Sequence, residues 1–563
     1  MTELLTAQQM RAVEQQAIAA GEVTGLALME RAGRGAVDAI LAHWPALCEG
    51  RQHAVVLCGP GNNGGDGFVV ARRLRDKGWD VEVFFWGNAA RLSADARKNH
   101  DVWAAMGEVH PLTPERAGEG PRPVLLVDAM FGTGLNRAIP LELAKAFHAV
   151  EQREAGGAHP WFVPFHKVAL DCPSGMDSDS GKFLLPPRPE EVGDEDETFQ
   201  KLHAWLQDDA SMRLLNVDLT LTFHRRKIAH ALGEGVGDVR VVDIGLGLED
   251  LHPAHLALPR SSQAVTALEF EAPHIRTRSI WPGRELDKGH GLRQHKFDHG
   301  HALVLSGSAG KTGAARMAAR GALRIGAGLV TLGVPRGAKA EVAAQITGLM
   351  QAKTQDADEL AEILQDKRIN ALCLGPGMGR KRARKLVPVA LGAAHEPRVV
   401  LDADALSAFS EVPEELFGLL HAGCVLTPHG GEFARLFPDV ADRLHAPALE
   451  GPAYSKIDAT RDAAKRAGCV VLFKGAETVI AAADGRCSVN IARGERAAPW
   501  LATAGAGDVL AGFITGLLAR GYEPFATAEV AAWLHVECAR AFGPGLIAED
   551  LPEILPSVLR DLL

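Results

Sequence analysis

Short apolar runs alternate with stretches of helical periodicity along the first part of the chain. Residues 53–58 predict a buried strand, and residues 68–77 then place their apolar side chains at helical spacing. Further strands are predicted at residues 81–85, 124–127, 168–170, 217–223 and 239–244. Alternating strands and helices favour a parallel sheet that is covered by helices on both faces.

The same alternation starts again after a weaker region that is rich in Pro, His and Ala. Strands are predicted at residues 301–305, 328–334, 371–374, 398–401, 424–426 and 469–473, and helices at 311–325, 508–520 and 527–542. The pattern therefore predicts two α/β domains, residues 1–247 and 276–563, joined by a linker over residues 248–275.

Composition narrows the class of protein. Of the 563 residues, 47% are hydrophobic and 23% are charged, which is typical of a soluble globular protein. A formal net charge of −10 and only two tyrosines disfavour a broad nucleic-acid-binding surface. The eight cysteines form no CxxC pair, which disfavours a zinc site or a disulfide framework. Because a signal peptide and a spanning apolar run are both lacking, we expect a cytoplasmic protein without membrane contact.

A block of acidic side chains breaks the pattern between residues 186 and 209. Its members are Glu190, Glu191, Asp194, Glu195, Asp196, Glu197, Asp208 and Asp209. Only Arg188 and Lys201 oppose them. Like-charge blocks favour a solvated surface insertion, and the alternative is a lid or a partner-binding loop.

A glycine-rich motif, GPGNNGGDG, occupies residues 59–67 between a predicted strand and a predicted helix. Its five glycines allow a ligand to approach the backbone, and N–H groups at a helix start bind phosphate or pyrophosphate. The alternative is a plain strand-to-helix turn. Asn62, Asn63 and Asp66 favour the ligand site, because a turn does not require three polar side chains beside the glycines.

Two later strands also end in polar residues and glycine. Asp128 ends one predicted strand, and Asp171 and Ser174 follow another. Ligands of doubly wound sheets bind outside the carboxyl ends of the strands. Asn63, Asp128 and Ser174 could therefore converge as oxygen ligands of a cation. Each of them alone could instead cap a turn.

These motifs, GPGNNGGDG, VDAMFGTG and LDCPSGMD, with DLTLTF at residues 218–223, resemble the NAD(P)H-hydrate epimerase family over about residues 1–247. The resemblance implies a Rossmann-like, three-layer αβα domain. It also implies that the hydrated dinucleotide contacts Asn62, Asn63, Gly64, Gly65, Asp66, Gly132, Thr133, Gly134, Leu135, Asn136, Arg137 and Ala138. Asn63, Asp128 and Ser174 would hold K⁺. Asp171 would face the substrate, and it is our candidate acid/base group.

A second glycine motif, TAGAGDVLAG, occupies residues 503–512 at the start of a predicted helix. Backbone N–H groups of Gly505, Ala506 and Gly507 would form an anion hole, and Asp508 would deprotonate or orient an attacking hydroxyl. The alternative is an ordinary helix cap. The segment SAGKT at residues 308–312 is not a Walker loop, because Leu305 stands where that motif needs glycine.

This arrangement resembles the ribokinase-like superfamily. With HK at 295–296 and the segments 307–313, 374–379, 401–406, 426–433 and 474–478, it is similar to ADP- or ATP-dependent NAD(P)H-hydrate dehydratases over about residues 276–563. The resemblance implies a ribokinase-like αβα domain in which Gly377, His429 and Asp508 lie on the hydrate. The nucleotide would meet Lys474, Gly475, Ala476, Glu477, Thr478, Gly505, Ala506 and Gly507. Asp402 and Asp404 are either site residues or structural carboxylates.

The two resemblances together predict a fused repair enzyme for hydrated NADH and NADPH. We expect K⁺ in the first domain, Mg²⁺ with ADP or ATP in the second, and a homo-oligomeric assembly. The sequence does not choose between ADP and ATP. The alternative is a small-molecule kinase, acting for example on a vitamin precursor, behind an N-terminal binding module without catalysis.

Overall fold

A computed structural model describes residues 2–153, 165–185, 216–246, 265–268, 286, 288, 295–345 and 348–562. The acidic block and both predicted linker boundaries lie outside these residues. The chain forms two compact units. We call Glu3–Ala264 with Ala446–Ser455 the N-terminal unit, and Met1–Thr2, Val265–His445 and Lys456–Leu563 the C-terminal unit.

The N-terminal unit is built on a parallel sheet. Over its described residues the strands run in the order Val109–Pro111, Asp80–Phe85, His53–Cys58, Leu125–Ala129, His166–Leu170, Leu219–Phe223 and Asp238–Val242. Every neighbouring pair is parallel. The predicted parallel sheet is confirmed, and its predicted strands differ from the observed ones mainly at their ends.

Helices surround this sheet. Their bounds are Ala7–Ala19, Gly25–His43, Asn62–Asp76, Ala94–Ala104, Pro114–Ala117, Leu141–Glu151 and Ala229–Leu232. The helix Asn62–Asp76 begins six residues before the predicted start at residue 68, within the glycine motif. A Cβ on Gly64 would lie 1.9 Å from the carbonyl oxygen of Gly59, so close backbone packing requires glycine in this turn.

The C-terminal unit contains a mixed sheet. Its strands run in the order Val265–Leu268, Cys487–Ile491, Glu477–Ala481, Val470–Phe473, Cys424–Leu426, Arg398–Leu401, Ile369–Leu374, His301–Leu305, Leu329–Val334 and Met350–Lys353. Glu477–Ala481 pairs antiparallel with both of its neighbours, and the other pairings are parallel. The hairpin was not predicted, and Val265–Leu268 is a strand inside the segment predicted as linker. A short strand, Thr2–Leu4, lies near the start of the chain.

A buried helix of this unit, Ala506–Ala519, packs against the sheet and against neighbouring helices. The other bounds are Gly313–Arg324, Lys339–Ala343, Ala357–Ile363, Arg380–Leu391, Asp404–Ser407, Pro413–Phe417, Gly430–Leu436, Pro438–His445, Lys456–Ala467, Pro524–Phe542 and Asp550–Leu562. A Cβ on Gly512 would lie 2.1 Å from the carbonyl oxygen of Ala318, so Ala506–Ala519 and Gly313–Arg324 pack backbone against backbone. No described helix is long and apolar enough to cross a membrane.

Candidate functional sites

A pocket of about 440 Å³ opens at the carboxyl ends of four neighbouring strands of the N-terminal unit. Its lining includes Asn62, Asn63, Asp66, Gly132, Thr133, Gly134, Leu135 and Asp171 from the predicted substrate residues. Met10, Arg11, Glu14, Phe223 and Lys227 also line it. Gly64, Gly65, Asn136, Arg137 and Ala138 are not in the lining, and their contact with substrate stays a prediction.

The glycine turn after the strand Leu125–Ala129 packs tightly onto the pocket residues. A Cβ on Gly132 would lie 2.9 Å from Oδ2 of Asp171 and 3.4 Å from Cγ of Asn63. The next residue, Thr133, donates its backbone N–H to Oδ2 of Asp171 over 3.1 Å. Glycine at position 132 therefore lets this turn hold the Asp171 carboxylate through the backbone.

Lys227 forms an ion pair with Asp171 at the bottom of the pocket. Its Nζ lies 2.7 Å from Oδ1 of Asp171, and its side chain is 1% exposed. It also donates to Oγ1 of Thr222 at 2.8 Å and to the carbonyl oxygen of Phe223 at 3.2 Å. These three acceptors match the three N–H donors of an ammonium group. Sequence analysis missed Lys227, because a lysine in a loop carries no signal of burial.

The pKa values of the carboxyl groups in the pocket shift in opposite directions. Burial by itself raises the pKa of Asp171, but Lys227 and the other donors outweigh burial, and the net pKa is lowered. Burial, then the charges of Asp171 and Glu14, raise the pKa of Asp66 well above its ordinary value. Burial also raises the pKa of Glu14, although Lys227 opposes the shift. The pKa of Asp171 is therefore lowered, whereas the pKa values of Asp66 and Glu14 in the same pocket are raised.

The predicted cation ligands are only partly brought together. Ser174 donates from Oγ to Oδ1 of Asp128 at 2.6 Å and from its backbone N–H to Oδ2 at 2.8 Å. Burial raises the pKa of Asp128 to about 6 against these hydrogen bonds. The amide of Asn63 instead donates to the carbonyl oxygen of Leu170 at 3.2 Å. All three side chains offer oxygen, which suits K⁺, and the ion site stays a prediction.

In the C-terminal unit, the predicted anion hole lies at the first turn of Ala506–Ala519. Gly505 precedes this helix with a φ of 93°, and a Cβ there would lie 2.5 Å from Cε of Met317. Glycine is therefore required at this turn. Asp508 follows in the first turn. Its pKa is raised to about 7, mainly by burial and then by the charges of Asp402 and Asp404, while Lys474 opposes the shift.

Asp402 and Lys474 form a second buried ion pair. Nζ of Lys474 lies 2.7 Å from Oδ1 of Asp402, which also accepts from Oγ1 of Thr427 at 2.8 Å. Asp402 is 2% exposed. A Cβ on Gly507 would lie 3.4 Å from Nζ of Lys474, so the predicted nucleotide segment meets the predicted anion hole at this lysine.

Asp404 has a structural partner, since its Oδ2 accepts from the backbone N–H of Gly379 at 2.9 Å. Gly377 in the same loop has a φ of 64°, and a Cβ on it would lie 2.8 Å from the carbonyl oxygen of Lys311. His429 caps the helix Gly430–Leu436 and accepts from the N–H of Gly431 at 3.0 Å. The roles of Gly377 and His429 on substrate stay predictions.

Lys456 donates hydrogen bonds to the backbone of the predicted nucleotide-binding segment. Sequence analysis did not single out this residue. Its Nζ donates to the carbonyl oxygen of Glu477 at 2.7 Å and to that of Lys474 at 3.4 Å. It lies over the ring of Phe473, 4.4 Å from the centroid. Burial lowers its pKa to about 8, although Glu477 opposes the shift. Glu477 itself pairs with Arg493.

The chain has two α/β units. One carries a carboxylate–ammonium pair in its pocket, and the other carries a glycine–aspartate turn at a helix start, which is the arrangement of a two-unit α/β enzyme. A family model described as YjeF-related protein N-terminus matches residues 25–224, and one described as NAD(P)H-hydrate dehydratase matches residues 302–556. The bifunctional NAD(P)H-hydrate repair enzyme of Moorella thermoacetica is 33% identical, over 99% of this chain and 97% of its own length. The chain therefore belongs to the family of bifunctional NAD(P)H-hydrate repair enzymes.

Relatives of the single units match as well. The NAD(P)H-hydrate epimerase of Rhodobacter capsulatus is 41% identical over 44% of this chain and all of its own length. The solved ADP/ATP-dependent NAD(P)H-hydrate dehydratase of Bacillus subtilis, crystallised with ATP and Mg²⁺, is 26% identical. It covers 49% of this chain and 94% of its own, with a TM-score of 0.40.

Proposed function

We propose that this protein repairs hydrated NADH and NADPH with two activities. The N-terminal unit interconverts the R and S hydrates, and the C-terminal unit dehydrates the S form with ADP or ATP. The observation that carries the first activity is the buried Asp171–Lys227 pair in the pocket. Matches of separate family models to residues 25–224 and 302–556 support a division into residues 1–247 and 276–563.

Epimerisation requires loss and return of the hydroxyl on C6 of the hydrate. The lone pair of the ring nitrogen forms a C=N bond as the C6–O bond breaks, and water then adds to either face of the planar carbon. The Asp171 carboxylate, held as an anion by Lys227, stabilises the cationic ring. Lys227 cannot also supply a proton, because its three donors are engaged.

The departing hydroxyl still needs a proton. Asp66 and Glu14 both line the pocket, and the pKa of each is raised. Asp66 is the stronger candidate, because both neighbouring carboxylates favour its neutral form. It gives its proton to the hydroxyl that leaves as water, and it recovers one from the water that adds back.

Dehydration first needs a better leaving group than hydroxide. Asp508 accepts or orients the proton of the C6 hydroxyl while that oxygen attacks the terminal phosphoryl group of the nucleotide. Backbone N–H groups of Gly505, Ala506 and Gly507 receive the charge of the transferred group, and Lys474 lies beside them. The nitrogen lone pair then expels phosphate, and loss of the C5 proton restores the dihydronicotinamide ring.

The two inferred cations, K⁺ and Mg²⁺, would be held by different kinds of ligand. Asn63, Asp128 and Ser174 would hold K⁺, whose charge favours an anionic substrate group near the strand ends. The described residues contain no group of three His, Cys, Asp or Glu side chains that could hold a metal. Mg²⁺ would be held mainly by the nucleotide phosphates, with Asp402 and Asp404, whose charges raise the pKa of Asp508, as further candidate contacts, and it would neutralise phosphate charge.

A coupled assay tests this function. The protein is incubated with mixed R and S hydrates, Mg²⁺ and either ADP or ATP, and the absorbance of the reduced cofactor is followed. We expect complete recovery of both epimers faster than they interconvert spontaneously. Recovery of only the S fraction would refute the epimerase activity. A stable phosphorylated product without hydrate consumption would instead support the small-molecule kinase.

A further inference from the structure

A single histidine joins the backbones of the two charged residues in the epimerase pocket. His230 lies in the short helix Ala229–Leu232 and is 4% exposed. Its Nε2 lies 2.6 Å from the carbonyl oxygen of Asp171, and its Nδ1 lies 2.8 Å from the backbone nitrogen of Lys227. Thus one ring holds two residues that are 56 positions apart in sequence and form the ion pair.

These two partners determine the tautomer of His230. The backbone N–H of Lys227 can only donate, so Nδ1 must accept. Nε2 then carries the hydrogen and donates it to the carbonyl oxygen of Asp171. Burial, followed by the charge of Lys227, lowers the pKa of His230 to about 3. The ring is therefore neutral at any pH at which the enzyme would be assayed.

The backbone of Asp171 adopts a conformation that has to be held by surrounding contacts. Its φ is 66°, which places a residue with a side chain in the left-handed region. Such a conformation persists only where surrounding contacts impose it. The N–H of Thr133 holds the carboxylate from one side, and His230 holds the peptide carbonyl from the other.

We propose that His230 is a positioning residue of the epimerase pocket, which aligns the Asp171 carboxylate with Lys227 through their main chains. This inference rests on the proposed epimerase function. It does not require His230 to touch substrate or to exchange a proton. Loss of the ring lets Asp171 relax from its left-handed conformation, and the carboxylate then turns away from the ammonium group.

His230→Ala tests this role, with His230→Gln as the conservative variant and Cys172→Ala as the control. Cys172 also contacts the ring, with Sγ 3.6 Å from Nε2, but it does not bridge the pair. For His230→Ala we expect kcat for epimerisation to fall about 10- to 100-fold, as small misplacements of a reacting group do, with KM little changed. His230→Gln should recover part of the loss, because an amide can also donate and accept.

The pH profile distinguishes positioning from general loss of structure. Asp171 faces Lys227, Glu14 and Asp66, and Lys227 keeps its pKa low. A loosened ion pair raises that pKa, so the acid limb of kcat should move to higher pH in His230→Ala and stay in place in Cys172→Ala. Unchanged kcat and an unchanged acid limb in a folded His230→Ala protein would overturn the inference.

A direct titration separates this inference from the function on which it rests. ¹³C NMR of labelled aspartate, assigned by loss of the Asp171 signal in Asp171→Asn, reports its carboxyl group without any substrate. A higher pKa of Asp171 in His230→Ala than in the wild type supports positioning even if hydrates are not turned over. An equal pKa contradicts it even if the wild type is an active epimerase.

Discussion

Asp171 and Asp66 line the same pocket, yet their pKa values shift in opposite directions. Asp171 receives N–H and ammonium donors, whereas burial and then the charges of Asp171 and Glu14 raise the pKa of Asp66. Two carboxyl groups with opposite shifts are the usual arrangement for separate acid and charge-stabilising roles. The sequence offered both residues as site candidates and predicted Asp171 as the acid/base group. The ion pair of Asp171 with Lys227 is the reason why we propose Asp66 for the proton transfer.

Asp66→Asn, compared with Glu14→Gln, tests this division of roles. We expect Asp66→Asn to lose about 100-fold or more in kcat for epimerisation, because an amide cannot donate a transferable proton. Glu14→Gln should lose much less. Since the protonated form of Asp66 is the active one, wild-type activity should decline as pH rises through its raised pKa. A larger loss in Glu14→Gln would assign the proton to Glu14 instead.

In the C-terminal unit, the charge of Lys474 lowers the pKa of Asp508, and Lys474→Gln tests this effect. Asp508 acts as a base only when ionised, so kcat/KM for the hydrate should fall as pH drops through about 7. Lys474 lowers the pKa of Asp508, so its removal should move this limb to higher pH. Exposed Lys465 provides the control Lys465→Gln, which should leave the limb in place. An unmoved limb in Lys474→Gln would contradict the electrostatic coupling.

At the scale of elements, glycine lets the helices that carry site residues pack closely against neighbouring backbone. The helix Ala506–Ala519 carries Asp508, and its Gly512 rests against the backbone of Gly313–Arg324. Apolar periodicity predicted both helices. It did not predict the start at Asn62 in the other unit, since Asn and Gly are weak helix formers. Packing against the Gly59 backbone overrides that weak propensity.

Gly512→Ala should destabilise the C-terminal unit by about 1–3 kcal/mol, as overpacking of a close interface does. Its Cβ would lie 2.1 Å from a carbonyl oxygen that cannot move without shifting the helix. Gly313→Ala is the matched control, because its Cβ would meet nothing nearer than an arginine nitrogen at 3.9 Å. Chemical denaturation of both variants gives the free energies of unfolding. Equal stability of the two would contradict the close-packing argument.

At the scale of the whole molecule, the chain carries two sites with separate chemistry. In Asp171→Asn the S hydrate should still be dehydrated, whereas the R hydrate should disappear only at its spontaneous rate of epimerisation. In Asp508→Asn the epimers should interconvert while dehydration falls at least about 100-fold. Chromatography of the two epimers over time, with and without ADP and Mg²⁺, measures both rates. Loss of both activities in either variant would contradict this separation.

The alternation of apolar runs was sufficient to predict two αβα folds, because buried parallel strands must be apolar over their whole length. It did not predict the antiparallel hairpin of Glu477–Ala481 and Cys487–Ile491, or the strand Val265–Leu268. Val265–Leu268 pairs with Cys487–Ile491, which is distant in sequence, so the local pattern does not indicate that pairing.

By itself, the sequence determined the fold class, the glycine turns and about half of the residues that line the pocket, because strand ends and glycine motifs are local features of the chain. Only the tertiary structure decided the charge state of those residues. Asp171 is an anion because Lys227, 56 positions away, is buried beside it, and His230 holds both main chains. Burial and long-range pairing set protonation, and neither can be obtained from residue type and spacing alone.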